Sequence, residues 1–305
     1  MKKAIRMGTR DSELALWQAT TVQKQLEALG HPCELVPVKS TGDLRLDVPL
    51  YELGITGIFT KTLDIAMLNE EIDIAVHSMK DVPTQLPKGI VQAAVLKRAN
   101  PRDILVHKGL DFLNTEGVVA TGSLRRKAQW LHRYPLHEIE DLRGNVNTRL
   151  QKLQDNAWDA AIFAAAGLER IQKTPEAHTE LQWMVPAPAQ GAMLIVAREG
   201  DTEVRKALRV LNDGPTELCT WIEREFLREL EGGCTAPIGA LATIRDEKLH
   251  FKGILLALDG QEKYEIEKEV PITLVAGLGR ACAREILGKG GDALMERIKK
   301  EMEKK

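Results

Sequence analysis

The sequence predicts an α/β protein of two α/β domains followed by a small α+β domain. Three observations predict it. Short apolar strands alternate with helix-period segments from Ala4 to about Ala197, and this pattern begins afresh near Pro101. The last third changes character, to a charged helix, a pair of strands around Asp259-Gly260 and a Lys/Glu-rich tail.

In chain order, Ala4 to Met7 reads as a strand. Ser12 is placed to cap a helix carrying Ala15, Ala19, Val22, Leu26 and Leu29 on one face, ended by Gly30. Glu34 to Val38 is a second strand. A helix is expected near Thr60, with Leu63 and Met67 inward, and the apolar run Ile72 to Val76 reads as a buried strand. After Pro101, Gly117 to Ala120 is a strand, Thr121-Gly122-Ser123 a turn, and a helix opens at Leu124. Asn147 to Ala157 is a further helix, Ala160 to Ala165 an apolar strand, Trp183 to Gly191 a proline-containing loop, and Ala192 to Ala197 a strand. In the last part Thr216 to Leu230 is a helix, Leu249 to Leu258 and Gln261 to Val270 are strands, and a helix starts at about Leu274.

Composition narrows the function. Of 305 residues, 44% are hydrophobic and 28% charged, and the net charge of −2 gives no bulk attraction to nucleic acid or to a membrane surface. No apolar run reaches bilayer length, and the start lacks the apolar core of a secretory signal. Cys33, Cys219, Cys234 and Cys282 lie far apart, without the spacing of a zinc site or a disulfide framework, so a reducing cytoplasm is the expected location. The histidines show no metal-ligand spacing, and no metal is expected.

Three clusters carry possible chemistry. His77-Ser78-Met79-Lys80-Asp81 follows a buried strand, at the end where open α/β sheets bind ligands, and Asp81 could exchange protons there; a solvated turn is the plainer reading. Arg125 and Arg126 open a helix whose dipole they oppose, an arrangement that a bound anion would relieve. Together with Arg10, Arg143 and Arg149 they make five arginines near strand ends, suited to a ligand with several carboxylates. Any one of them alone reads as a surface ion pair. Cys234 follows Gly232-Gly233 and precedes Pro237, so it lies on a loop; covalent attachment competes there with ordinary packing, which is the stronger reading for the other three cysteines.

These stretches resemble one family. Thr9-Arg10-Asp11-Ser12 with Leu14 to Ala19, AVHSMKDVP at 75–83, SLRR at 123–126, LRGNVNTRL at 142–150, PAPAQGA at 186–192 and LEGGCTAPIG at 230–239 occur in the order found in the hydroxymethylbilane synthases, also called porphobilinogen deaminases. The resemblance implies two α/β domains similar to periplasmic-type binding proteins, 1–98 with 192–211 and 99–191, with the active-site cleft between them, and an α+β domain, 212–305, holding the cofactor loop. It implies a transferase that removes ammonia from porphobilinogen and joins the resulting pyrroles, through an azafulvene, on a dipyrromethane cofactor attached to Cys234 by a thioether. Asp81 would be the catalytic carboxylate. Lys80, Asp81, Ser123, Arg125, Arg126, Asp43 and Thr121 would hold the cofactor, and Arg10, Ser12, Arg143, Arg149 and Gln190 the substrate. A cytoplasmic monomer passing its product to uroporphyrinogen-III synthase is the implied setting.

Thr41, Ile55, Thr56 and Thr62 depart from the family pattern, which is more basic before Phe59 and commonly acidic at position 62; the departure bears on how an active-site loop closes, not on the core reaction. Two other classes compete. A polycarboxylate-binding protein of the same fold would need neither Cys234 nor Asp81, and a transcription regulator would need a basic helix-turn-helix that the sequence lacks.

Overall fold

The computed structural model describes residues 3–38, 60–230 and 236–303. Asp43, Cys234 and the atypical positions 41, 55 and 56 lie outside the described residues. The described chain clusters into two units. The first comprises residues up to 38, 60–99 and 191–218; the second comprises 100–190 and 219–303. The fold is α/β, with a five-stranded mixed sheet in each unit and a small three-stranded antiparallel sheet in the C-terminal region.

In the first unit, β1 (Ile5–Thr9), β2 (Cys33–Pro37), β3 (Ile74–Ser78), β4 (Ile90–Val95) and β10 (Met193–Arg198) form a sheet in the order β2-β1-β3-β10-β4. β1 runs parallel to β2 and β3, and β10 runs antiparallel to both of its neighbours. The helix Glu13–Ala28 starts where Ser12 accepts the amide of Ala15, and it buries Ala15, Ala19, Val22 and Leu26 at the predicted spacing. Val22 and Leu26 are fully buried, each removal from water contributing about 1.5–3 kcal/mol. The helix Lys61–Leu68 covers the sheet with Leu63 and Met67 buried, as predicted. An ionic knot closes this unit: the Asp73 carboxylate accepts from Arg6 at 2.8 Å and Arg198 at 3.1 Å.

In the second unit, β5 (Asp103–His107), β6 (Val118–Ala120), β7 (Glu138–Glu140), β8 (Ala160–Ala164) and β9 (His178–Glu180) order as β7-β6-β8-β5-β9. β7, β6 and β8 are parallel, whereas β5 is antiparallel to its neighbours. The direction pattern is that of the first unit: the antiparallel strand is the one with which the chain enters the second unit and the one with which it returns to the first. The Ala192 to Ala197 strand predicted from sequence is therefore present, but it does not run with the parallel set.

The C-terminal sheet, β11 (Ile238–Arg245), β12 (Lys248–Leu256) and β13 (Lys263–Pro271), packs Ile254 and Leu256 against Ala128 and Val185. β4, β5, β7, β9 and β11 are strands that the sequence reading does not predict. The helix expected from about Leu274 begins only at Leu278, after a short 3-10 turn, because Gly277 at φ +70° breaks the helical path. Cys219 and Cys282 are buried and Cys33 is half-buried, consistent with packing roles. No helix among the described residues is long and apolar enough to cross a membrane.

The Asp259-Gly260 turn has a second role beyond joining two strands. Gly260, at φ +76°, rests on the helix Leu124–Arg133, where His132 Nδ1 meets the Gly260 carbonyl at 2.7 Å. A Cβ there would strike the Ala128 carbonyl and lie 2.7 Å from the His132 amide. Gly260→Ala is expected to lower unfolding free energy by about 2–3 kcal/mol, read from urea midpoints. A second test concerns acid. Burial would raise the Asp73 carboxyl, but the bonds from Arg6 and Arg198 outweigh it and bring the pKa to about 2. The stability this knot contributes is present above the ordinary value of 3.8 and is lost as pH falls toward about 2. Asp73→Asn should flatten that acid segment of the stability profile.

Candidate functional site

Strand direction places the predicted residues. β1 and β3 are parallel neighbours, so Arg10, just past β1, and the turn Met79–Asp81, just past β3, lie at one edge of the first sheet. The Met79 amide donates to the Ala192 carbonyl at 3.0 Å, which ties that turn to the entry of β10. Lys80 and Asp81 are half-buried there, as are Arg10 and the capping Ser12. His77 lies beneath them, fully enclosed. Burial and the nearby charge of Arg10 push its pKa down to about 4, and its Nε2 has no hydrogen-bond partner among the described residues. The neutral imidazole fits a site kept cationic by Arg10.

In the second sheet the same edge collects the basic cluster. Thr121 to Ser123 follow β6, and Leu142 to Asn145 follow β7. The two turns touch: a Cβ on Gly122 would lie 2.6 Å from the Leu142 carbonyl oxygen, so glycine is required there. Ser123 caps the helix Leu124–Arg133 through the amide of Arg126, and Asn145 caps the helix Val146–Asp155 through the amide of Thr148 at 2.9 Å. Arg149 is half-buried and donates from Nε to the Gly144 carbonyl at 2.7 Å. Arg143 is buried, its pKa lowered by burial against the opposing charge of Asp141, and its Nε finds no acceptor among the described residues.

Arg125 and Arg126 are not surface groups. Both are buried on Asp103, the first residue of β5, whose antiparallel course starts it at this same edge opposite Ala164. Arg125 Nη1 donates to Asp103 Oδ2 at 2.7 Å, and Arg126 donates to Oδ1 from Nε at 3.0 Å and from Nη2 at 2.8 Å. Gln190, also fully buried, adds a bond from Nε2 to Oδ1 at 2.9 Å and another to the Pro101 carbonyl. Burial would raise the Asp103 carboxyl, but the two guanidiniums hold it far below the carboxylate range. Burial pulls Arg125 below its usual value against the attraction of Asp103. Arg125 Nε has no acceptor among the described residues.

Sequence reasoning missed Asp103, because a carboxylate after Pro-Arg reads as a polar strand entry until the fold brings it to the arginines. The first sheet thus ends in Arg10 and Lys80 beside Asp81, and the second in a group of arginines two of which are bonded to Asp103. Chemically it suits a ligand bearing several carboxylates. Asp43 and Cys234 are not placed by the described residues.

Comparison with known proteins agrees with that chemistry. The family model "Porphobilinogen deaminase, dipyromethane cofactor binding domain" matches residues 5–206, and "Porphobilinogen deaminase, C-terminal domain" matches 217–288. Curated relatives named porphobilinogen deaminase include those of Pelobacter propionicus, 41% identical over 97% of this chain and 97% of its own length, Desulforamulus reducens, 40% identical over 98% and 99%, and Moorella thermoacetica, 41% identical over 97% and 96%. Among solved structures, an amino-acid ABC transporter extracellular-binding protein from Bacillus subtilis covers 69% of this chain, and 90% of its own, at TM-score 0.42 and 13% identity, a likeness too weak to bear on function.

The enclosed histidine gives a test. Its folded pKa of about 4 lies below the ordinary 6.5, so the unfolded chain takes up the proton first. Stability should therefore fall as pH drops through that interval and level off below it. His77→Asn should remove this component, measured as urea midpoints across the same interval.

Proposed function

This chain belongs to the porphobilinogen deaminase family, and we propose from that membership how its own residues share the work of a hydroxymethylbilane synthase. The enzyme removes ammonia from porphobilinogen and joins the pyrroles head to tail into the linear tetrapyrrole hydroxymethylbilane, a step of porphyrin and heme biosynthesis. Its cofactor is dipyrromethane, which when bound supplies the pyrrole carbon that starts the chain.

The residues present fit such a group. The observation that carries the reading is a pair of buried guanidinium nitrogens, Arg125 Nε and Arg143 Nε, that no described residue accepts from. A buried donor left unmade is destabilising, and a ligand carboxylate removes the deficit. Cys234 is the attachment point in this proposal, by its place in the EGGC loop. Lys80, Asp81, Thr121, Ser123, Arg125, Arg126 and Asp43 hold the cofactor, and Arg10, Ser12, Arg143 and Arg149 take the acetate and propionate groups of porphobilinogen. Gln190 acts at one remove, since its amide is bonded to Asp103 and the Pro101 carbonyl.

Asp81 is the catalytic carboxylate of this proposal. It accepts the pyrrole N–H of porphobilinogen and stabilises the positive charge that spreads over the ring as the C–N bond breaks and ammonia leaves. Its position on a tight turn tied to Ala192 keeps that oxygen fixed between steps. Water finally displaces the product. The division 1–98 with 192–211, 99–191 and 212–305 serves as the functional partition, supported by the three separate sheets. The working form in this proposal is a cytoplasmic monomer whose product passes to uroporphyrinogen-III synthase.

Intact mass with peptide mapping tests the assignment. The purified chain should carry one dipyrromethane on Cys234 and gain further pyrroles when porphobilinogen is added. Cys234→Ala should carry no adduct, and a pyrrole found on that variant would refute the attachment site. Asp81→Asn should fold normally and lose turnover by at least about a hundredfold; turnover near that of the unaltered chain removes Asp81 from the role.

A further inference from the structure

We propose that Asp103 is a positioning residue of this reaction: it orients the guanidiniums of Arg125 and Arg126 and reduces their joint charge to one positive unit, so that the pair meets a ligand carboxylate in a fixed attitude. The inference rests on the reading that these arginines bind the cofactor's acid groups. Asp103 is not one of the predicted site residues, and it touches the ligand only through the arginines.

Charge arithmetic carries the argument. Two guanidiniums and one carboxylate, all buried, sum to one positive charge. The other groups bonded to them are neutral: Gln190 and the carbonyls of Val185 at 2.8 Å and Ile162 at 2.9 Å. A cluster that served only to fasten β5 to the helix would need one arginine. The second leaves a buried charge with no counter-charge among the described residues, which destabilises the protein unless an anion arrives. Arg125 Nε, on the same cluster, has no acceptor among the described residues. One carboxylate from outside satisfies both deficits.

The anchor is rigid. Asp103 belongs to a sheet, paired with Ala164, and its two oxygens accept four donors in all. Arg125 is fixed again by the Val185 carbonyl, which Gln129 also holds at 2.9 Å. Without Asp103 the two like charges repel and their long side chains take separate rotamers. Preorganisation for the ligand is then lost even where the fold survives.

The test uses Asp103→Asn, which keeps volume and removes charge, beside the unaltered chain. Both are checked by circular dichroism and assayed well below their melting temperatures. The readouts are the fraction carrying dipyrromethane mass and the rate at which added porphobilinogen lengthens the pyrrole mass ladder. We expect the folded variant to load cofactor poorly and to extend the ladder about tenfold more slowly. Asp103→Ala gives an independent arm: sodium formate, which can occupy the vacated carboxylate position, should speed ladder growth where sodium chloride at equal ionic strength does not.

A carboxylate needed only for folding would leave the ladder unaffected in any variant that folds. Full loading and growth within about twofold of the unaltered chain in folded Asp103→Asn overturns the proposal. If that variant fails to fold, the alanine variant folded in formate decides: growth that persists in chloride while the far-ultraviolet spectrum is unchanged overturns it, and growth lost under those conditions supports it. Should the unaltered chain itself build no ladder, the reaction reading falls first, and this role with it.

Discussion

The second unit depends on a carboxylate that has no contact with water. Asp103 gathers Arg125, Arg126 and Gln190, and through them reaches the Val185, Ile162 and Pro101 carbonyls. These belong to a helix start, a central strand, a proline-rich loop and the entry segment of the unit. Removing such a charge from water disfavours folding by roughly several kcal/mol, which the four donors on the carboxylate offset. Its geometry fixes where the helix Leu124–Arg133 begins, and with it the cationic edge of the sheet. The hairpin at Gly260 presses on the same helix from its other end.

Each unit solves the same topological problem in the same way. Four strands of each sheet run one way, and the fifth, β10 or β5, runs against them from the edge where they end. The chain therefore meets the functional edge each time it leaves one of those four strands, and again where it enters β5 or β10. Asp103 and Ala192 owe their placement to this entry, Asp103 as the arginine anchor and Ala192 as the acceptor that holds the Met79–Asp81 turn.

Much of this was legible in the sequence because it depends on local periodicity. The Ser12 cap, the buried stripe of Ala15, Ala19, Val22 and Leu26, and the strand before His77 follow from spacing alone. The arginine cluster was visible as a set of charges near strand ends. What was not legible depends on distant partners. Arg125 and Arg126 read as exposed because nothing nearby in sequence neutralises them; Asp103 does so across 22 and 23 residues. β11 hides because its buried side chains include the small Ala240 and Ala242, which give a weak alternation. Strand direction in β5 and β10 is set by pairing, which a local pattern does not encode.

The side-chain caps at Ser12, Ser123 and Asn145 have a consequence for what kind of ligand the edges can serve. Each cap takes up a backbone N–H at its own helix start, so less of the recognition is left to the rigid main chain. It falls to the arginines. Arg125 and Arg126 are clamped on Asp103 and cannot follow a ligand, and Arg149, half-buried in the same unit, seats its Nε on the Gly144 carbonyl. The charge at this edge of the second sheet is therefore set in direction before any ligand arrives. A carboxylate that docks there has to conform to the protein, because the guanidiniums have no slack with which to conform to it.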